Sequence, residues 1–86
     1  MSLLAEVTKH RRAMRASQGE VGLEIGKSQF YVSLVERGQM IADEAMLRRM
    51  MLAIDRIVER RTVVAAATSR AIADFENRKK SVDAGR

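Results

Sequence analysis

Helix-breaking residues are scarce in this chain, and their scarcity limits the folds open to it. There is no proline, and only five of the 86 residues are glycine. Alanine, leucine, methionine, arginine and glutamate, which are good helix formers, are abundant. The composition therefore predicts an all-α protein. A chain of this length suggests one domain with a modest core, and such domains often gain stability by forming oligomers.

Side chains that cap helices mark where the predicted helices begin. A Ser, Thr, Asp or Asn at the N-cap accepts a hydrogen bond from a backbone amide in the first turn. Such residues stand at Ser2, Ser17, Ser28 and Asp43. Ser17 opens the sequence SQGE, a capping box in which Glu20 reaches back to the amide of Ser17. Gly26 and Gly38 follow the second and third predicted helices, at positions where a helix ends with positive φ.

Two helical patterns follow one another in the C-terminal half. The first lies in DEAMLRRMMLAIDRIVERR, where apolar residues recur with the period of an α-helix: Leu47, Met50, Met51, Ile54, Ile57 and Val58. The second has the alternating spacing of three and four residues that makes a heptad seam: Ala65, Thr68, Ile72, Phe75, Lys79 and Val82. We expect a fifth helix from about Thr62 to Lys80, which either continues the fourth helix or folds back.

Charge and cysteine content narrow the classes of partner and compartment. The formal net charge is +5 and the pI is about 10.4, which favour a polyanionic partner. A surface of mixed charges has the same composition, so the charge permits a nucleic-acid partner without requiring one. The absence of cysteine fits a reducing cytoplasm. No apolar run reaches the ~18 residues of a membrane span, and the first residues lack the features of a signal peptide, so we expect a cytoplasmic protein with no membrane partner.

Catalysis is not indicated by any group of residues. The chain has one histidine, no cysteine, no phosphate-binding glycine loop and no carboxylate pair in a plausible cleft. His10 fits a hydrogen-bonded residue at the boundary of the first helix better than a metal ligand, because there is no second histidine to share a metal. We expect no enzyme activity, no metal and no cofactor.

Residues 18–37 have the pattern of two short helices joined by a tight glycine turn, which is the pattern of a helix-turn-helix motif. Such helices cross closely, and Gly22 supplies the small residue that the crossing needs. The residues expected to point inward are Val21, Ile25, Val32 and Val35. The neighbouring aromatic residues Phe30 and Tyr31 cannot both face this core. A helical wheel places Phe30 outward and Tyr31 at a flank.

The stretch SQGEVGLEIGKSQFYVSLVERG resembles the lambda-repressor-like helix-turn-helix family, which includes phage repressors, Cro and xenobiotic-response-element regulators. HRRAMRA before it and MLRRMMLAI after it extend the resemblance to roughly residues 7–57. We therefore expect a five-helix fold of this type. It would comprise a DNA-binding domain over residues 1–60, a C-terminal dimerisation helix over 61–80 and a flexible tail over 81–86.

The resemblance implies that the second motif helix enters the major groove with its N-terminal residues against the bases. Gln29 matches the family's leading base-reading residue. A glutamine can form two hydrogen bonds with one adenine, through N6 and N7. Gln18 matches a residue that contacts phosphate and braces Gln29, and Arg11 and Glu36 match a structural ion pair. The expected DNA-binding residues are Gln18, Lys27, Ser28, Gln29, Phe30, Tyr31, Ser33, Leu34 and Arg37.

A single module of this kind reads only a few base pairs, so we expect a homodimer on a pseudo-palindromic operator of double-stranded DNA. The expected dimer interface is the seam at Ala65, Thr68, Ile72 and Phe75. The alternative is that this helix packs back onto its own domain. The expected function is a small homodimeric repressor of phage, plasmid or bacterial origin. Two other functions stay open: an antitoxin-type autoregulator whose C-terminal helix binds a toxin, and a protein-interaction module that uses Phe30 and Leu34.

Overall fold

Four α-helices make up the fold. The computed structural model describes the backbone of residues 2–84 and the side chains of residues 2–79. Within that range the chain is all-helical, as the composition predicts. The helices in chain order are α1 (Leu3–Ala13), α2 (Gln18–Glu24), α3 (Gln29–Glu36) and α4 (Glu44–Ala84).

Each helix begins at the capping residue that the sequence predicts. The Ser2 hydroxyl accepts the amide of Ala5 at 3.1 Å, and the Ser28 hydroxyl accepts the amide of Tyr31 at 3.1 Å. The capping box at α2 is complete, since Ser17 Oγ accepts the Glu20 amide at 3.0 Å and Glu20 Oε1 accepts the Ser17 amide at 2.9 Å. Asp43 Oδ1 accepts the amide of Met46 at 2.8 Å at the start of α4.

Glycines end the two middle helices. Gly26 has φ +74° after α2, and Gly38 has φ +73° after α3. Both values lie in the left-handed region, which glycine adopts with little steric cost. The two short helices and the turn between them therefore have the boundaries that the sequence predicts.

The core lies between α2, α3, α1 and the first part of α4. Its largest fully buried side chains are Val7 of α1, Val21 of α2, Val32 and Val35 of α3, and Met50 and Ile54 of α4. Met46 and Met51 pack against this cluster from its edge. His10 Nε2 lies 2.8 Å from Asp55 Oδ1, which joins α1 to α4. His10 is thus the hydrogen-bonded boundary residue that the sequence predicts.

The helix count differs from the predicted five, because residues 62–80 are part of α4 and not a separate helix. The physical reason is that no glycine or proline interrupts the chain between Gly38 and Gly85. Residues 81–84, expected to belong to a flexible tail, are helical in backbone. The side chain of Val82, the last residue of the seam, and residues 85–86 of the expected tail lie outside the described residues.

The C-terminal part of α4 projects from the domain. Every residue from 59 to 79 is exposed. The 41 residues of α4 span about 61 Å at ~1.5 Å per residue, and the longest dimension of the molecule is 67 Å. The alternative in which this segment packs back onto its own domain is therefore wrong.

No helix in the described part of the chain combines the length and the apolar character that crossing a membrane requires.

Candidate nucleic-acid interface

Gly22 sets how closely α2 approaches the start of α3. A β-carbon at this position would lie 2.8 Å from the carbonyl carbon and oxygen of Ser28 and 3.0 Å from the carbonyl oxygen of Lys27. Side-chain atoms do not come this close to backbone, so even alanine does not fit without a shift. The Gly22 carbonyl also accepts the Lys27 amide at 2.7 Å. Gly22 thus lets the N-terminus of α3 rest directly on α2.

Arg11 and Glu36 fix the other end of α3 to α1. Arg11 Nε lies 2.5 Å from Glu36 Oε2, and Arg11 Nη2 lies 2.8 Å from Glu36 Oε1. Arg11 Nη1 also donates to the carbonyl oxygen of Ala16 at 3.0 Å. The ion pair that the family resemblance implies is present, and it joins residues 25 positions apart in sequence.

Glu36 is held as a carboxylate inside this contact. Its side chain is 4% exposed, and Gln18 Nε2 donates to its Oε1 at 3.1 Å. Burial raises the pKa of Glu36. The hydrogen bonds from Arg11 and Gln18 and the charges of Arg11 and Arg12 outweigh that effect, so its pKa lies below the ordinary value.

The outward face of α3 begins with Gln29 and Phe30, which are both exposed. Phe30 is 67% exposed, although phenylalanine is usually buried. Gln29 lies over the start of α2, where a β-carbon on Gly19 would be 3.7 Å from Gln29 Oε1. Ser28 precedes them as the N-cap, so the free amides at the start of α3 lie beside these two side chains. A polar and an apolar side chain are thereby exposed next to each other.

Lys27 and Tyr31 form one edge of this face. Lys27 Nζ lies 5.4 Å from the centroid of the Tyr31 ring, a cation–π distance. Tyr31 is half-buried and packs against the core, which is the flanking position that the helical wheel predicts. The contact brings a positive charge to the edge of the outward face.

The far end of the face is less open than its start. Ser33 and Leu34 are half-buried, and the loop after α3 folds back so that the Leu34 carbonyl accepts the amides of Gln39 at 2.9 Å and Met40 at 3.2 Å. Arg37 is exposed and its Nε donates to the Ser33 carbonyl at 3.4 Å. The first turn of α3 therefore offers more free side-chain surface than the last.

Gln18 has a different contact from the expected one. The resemblance implies that Gln18 braces Gln29, but its amide donates to Glu36. No hydrogen bond among the described residues joins Gln18 to Gln29. Gln18 is half-buried at the start of α2. In this structure it supports the Arg11–Glu36 pair.

Every carboxylate within residues 17–38 is paired with an arginine from another helix. Glu20 accepts two hydrogen bonds from Arg61, at 2.7 and 2.8 Å, and Glu36 pairs with Arg11. Glu24 pairs with Arg56 and Arg60 of α4. Lys27 and Arg37 of the same segment form no ion pair within the described residues. The α2–α3 unit therefore presents positive charge at both ends of α3.

These pairs lower the pKa values of the two carboxylates on α2. The Ser17 amide and then Arg61 lower the pKa of Glu20 against a smaller effect of burial, and Arg60 and Arg56 lower that of Glu24. Both groups are accordingly charged at neutral pH. Arg60 and Arg61 are the last residues of the first apolar pattern in the C-terminal half, but α4 continues past them and both bind carboxylates of α2.

Arg61 also closes the end of α1. Its guanidinium donates to the carbonyl oxygens of Met14 at 3.2 Å and Arg15 at 3.1 Å. Arg15 has φ +57°, an uncommon conformation for a residue other than glycine. Arg49 similarly donates to the Ile25 carbonyl at the end of α2, at 3.2 Å. These long-range contacts have no short-range signal in the sequence.

The expected DNA-binding residues thus divide into two groups. The residues that lie together on or beside the exposed surface of α3 are Lys27, Ser28, Gln29, Phe30, Tyr31, Ser33, Leu34 and Arg37. Gln18 belongs to the supporting contact with Glu36. The predicted dimer residues at 65, 68, 72 and 75 are all exposed and lie far along α4, separate from this surface.

Comparison of the chain with protein-family models, with curated proteins and with solved structures finds no match.

Proposed function

We propose that this protein is a sequence-specific DNA-binding transcriptional regulator whose α2 and α3 act as a helix-turn-helix of the lambda-repressor-like type. The observation that carries the proposal is the two-sided character of α3. One side is held by Val32, Val35 and the Glu36 ion pair, and the other presents Gln29 and Phe30 to solvent. A rigid helix with a free, partly polar face is what major-groove reading requires.

The first turn of α3 would make the base contacts. Gln29 can donate to N7 and accept from N6 of one adenine, which is worth about 1–3 kcal/mol of discrimination. Phe30 next to it suits the methyl group of a thymine. Both side chains are among the most exposed on the helix, so neither has to leave a packed position to reach the groove.

Phosphate contacts would position the helix without reading sequence. Lys27 precedes α3 and Arg37 follows it, so one cation lies at each end. The Ser28 hydroxyl and the free amides of the first turn can bind a phosphate oxygen as well. Because the three carboxylates of this unit are neutralised by arginines, repulsion of the DNA backbone at α3 is reduced.

Repression would follow from occupying promoter DNA as a dimer. One module contacts only a few base pairs, and two copies related by a two-fold axis read a pseudo-palindromic operator. The exposed C-terminal part of α4 is the surface available for joining the copies. This role for α4 is independent of the base contacts.

Salt dependence of duplex binding tests the proposal. A DNA-binding protein loses affinity linearly in log salt, with a slope of about −0.9 for each phosphate contact. We expect a steep slope for mixed-sequence duplex measured by fluorescence anisotropy between low and moderate salt. Arg37→Ala should make the slope less steep by about 0.9, the value for one phosphate contact. Absence of binding to any duplex at low salt would contradict the proposal.

The exposure of Phe30 favours one competing function, in which the Phe30 and Leu34 face binds a protein partner. Such an interface would depend on apolar contact, so its affinity would change little with salt. The same titration therefore separates the two functions. Salt-insensitive binding to a protein, with no duplex binding, would support the competing function.

A further inference from the structure

A groove lies where α4 leaves the domain, between α2 and the start of the projecting segment. Its volume is about 440 Å³. Leu23, Ile57, Val64 and Ala65 line it with apolar side chains, and Glu20 and Glu24 with their arginine partners form its rim. Leu23 is 83% exposed, an unusual position for leucine. This groove is separate from the outward face of α3.

The apolar stripe of α4 runs from the core into this groove and beyond it. Val64 follows Ile57 by seven residues, or two helical turns, so both lie on one side of the helix. Ile72 and Phe75 continue that side, and both are more than half exposed. The projecting segment thus carries an uncovered extension of the core-facing side.

The two ends of the projecting stripe differ in size. Ala65 and Thr68 near the domain are small, whereas Ile72 and Phe75 near the far end are large. Helices pack well when large side chains face small ones. Parallel pairing of two copies sets each residue against itself, so that Phe75 meets Phe75, Ala65 meets Ala65, and Lys79 meets Lys79.

We propose that two copies of this chain pair antiparallel through the projecting segments of α4, with Phe75 of each copy packed against Ala65 and the Leu23–Val64 groove of the other. In this register Ile72 faces Thr68, and each large side chain meets a small one. By the two-fold axis, both grooves are filled at once. The pairing rests on the proposed function, which requires two copies on one operator, and specifies how those copies are joined.

Charge is compatible with this register. Lys79 of each copy comes beside position 61 of the other, where Arg61 is already engaged with Glu20. The carboxylates of Glu20 and Glu24 on the groove rim are paired with arginines of α4, so they add no net attraction for Lys79. In the parallel arrangement two Lys79 side chains share one core position instead, and their like charges repel.

The groove also supplies area that a helix pair alone lacks. Residues 61–79 of the two copies overlap over only about 28 Å of helix. Stable interfaces typically bury about 1,200–2,000 Å², and a helix pair of this length forms only a narrow strip of contact. Leu23 and the groove widen the contact at both ends of the strip. A helix without tertiary packing is marginally stable in water, so the projecting segment also gains helical stability from the pairing.

Neighbouring valines provide a matched test. Val63 and Val64 are 63% and 62% exposed, yet they differ by about 100° around the helix. Only Val64 lines the groove with Leu23. We expect the wild-type chain to sediment as a dimer, and Val64→Asp and Leu23→Asp each to weaken dimerisation at least about tenfold. Val63→Asp should leave the dissociation constant unchanged within about threefold.

Disulfide trapping fixes the direction of pairing, since the chain has no cysteine of its own. A mixture of Ala65→Cys and Phe75→Cys chains should form a mixed disulfide on mild oxidation. Ala65→Cys alone should not, because its two copies lie ten residues or about 15 Å apart along the antiparallel pair, beyond disulfide reach. All substituted positions are exposed, and circular dichroism verifies that each variant is folded.

A monomeric wild-type chain overturns the pairing, as does efficient trapping of Ala65→Cys alone. A Leu23→Asp chain that dimerises like the wild type overturns the role of the groove. These experiments use no DNA, so they fail independently of the proposed function. A dimer that binds no duplex leaves the pairing intact and contradicts the DNA-binding proposal. A monomer that binds duplex supports DNA binding and contradicts the pairing.

Discussion

The two parts of α4 have the same periodic pattern and opposite environments. From residue 44 to 58 the apolar side of the helix is covered by α1 and α2, and Met50 and Ile54 are fully buried. From 59 to 79 the same side continues, but every residue is exposed. Helical period therefore identifies which side is apolar, whereas only the fold shows whether the chain itself covers that side. The uncovered part is the surface that the proposed pairing of two copies would use.

Two isoleucines on the apolar side of α4 make this comparison measurable, and the largest effect is expected here. Ile54 is fully buried and Ile72 is exposed. Ile54→Ala should lower the free energy of unfolding by about 2–5 kcal/mol, because it leaves a cavity in the core. Ile72→Ala should change it by less than about 0.5 kcal/mol at dilutions where the chain is monomeric. Urea unfolding followed by circular dichroism measures both, and equal losses would contradict the division of α4.

Breaking a buried ion pair should likewise cost more stability than breaking an exposed one. Glu36→Gln leaves Arg11 in a largely buried site without its counter-charge, which should cost about 3 kcal/mol. Glu44 pairs with Arg48 on the surface, so Glu44→Gln should cost less than about 0.5 kcal/mol. Unfolding of the two variants side by side is the measurement, and a costly Glu44→Gln would show that burial is not the deciding factor.

The Glu36 pair also predicts how stability depends on pH. The folded-state pKa of Glu36 lies below the ordinary value of 4.5, so the unfolded chain binds more protons between the two values. The stabilisation is complete above about pH 4.5 and is lost as the pH falls through the folded-state pKa. We expect the free energy of unfolding of Glu36→Gln to fall less steeply than that of the wild type as the pH is lowered. An unchanged pH dependence would assign acid unfolding to other groups, such as Glu20 and Glu24, whose pKa values are also lowered.

Two glycines of α2 test whether close packing positions α3. A β-carbon at Gly22 would meet the Ser28 backbone at 2.8 Å, whereas one at Gly19 would meet its nearest atom at 3.7 Å. Gly22→Ala should destabilise the domain by about 1–3 kcal/mol. Gly19→Ala should be neutral, or stabilising by up to about 1 kcal/mol. Comparable stabilities for the two variants in thermal unfolding would show that α2 and α3 can move apart without cost.

Local signals predicted most of the domain. The four N-caps, the glycines at 26 and 38 and the inward valines of α3 are short-range features, and the structure has all of them. The Arg11–Glu36 pair spans more sequence and was expected through the family resemblance. The closing contacts of Arg61 join residues more than 40 positions apart. No pattern of spacing indicates which arginine binds which carbonyl.

The helix count is the one prediction for which a usable signal was misread. The weakening of the apolar pattern near Arg61 suggested a boundary, but no residue there stops a helix. The apolar side of the helix continues through this point with smaller side chains, and from residue 59 the segment no longer packs against the core. Leu23 was not singled out either, since one apolar residue on a short helix is unremarkable until the groove beside it is known.

On DNA affinity, the residues proposed to read bases and those proposed to contact phosphate should have different effects. Gln29→Ala should reduce discrimination at one base-pair position by about 1–3 kcal/mol. Arg37→Ala should weaken binding to all sequences alike, because a phosphate contact carries no base information. Competition assays against single-base operator variants distinguish the two. Identical profiles for both variants would remove the assignment of Gln29 as a base reader.

Selection of bound duplexes from a random DNA pool tests the central claim most directly. If α3 reads the major groove and two chains pair through α4, the enriched sequences should be pseudo-palindromic and each half-site should contain an adenine position that is relaxed by Gln29→Ala. Enrichment of a single, non-repeated site would contradict the dimer. A pool that shows no enrichment at any salt concentration would contradict sequence-specific DNA binding itself.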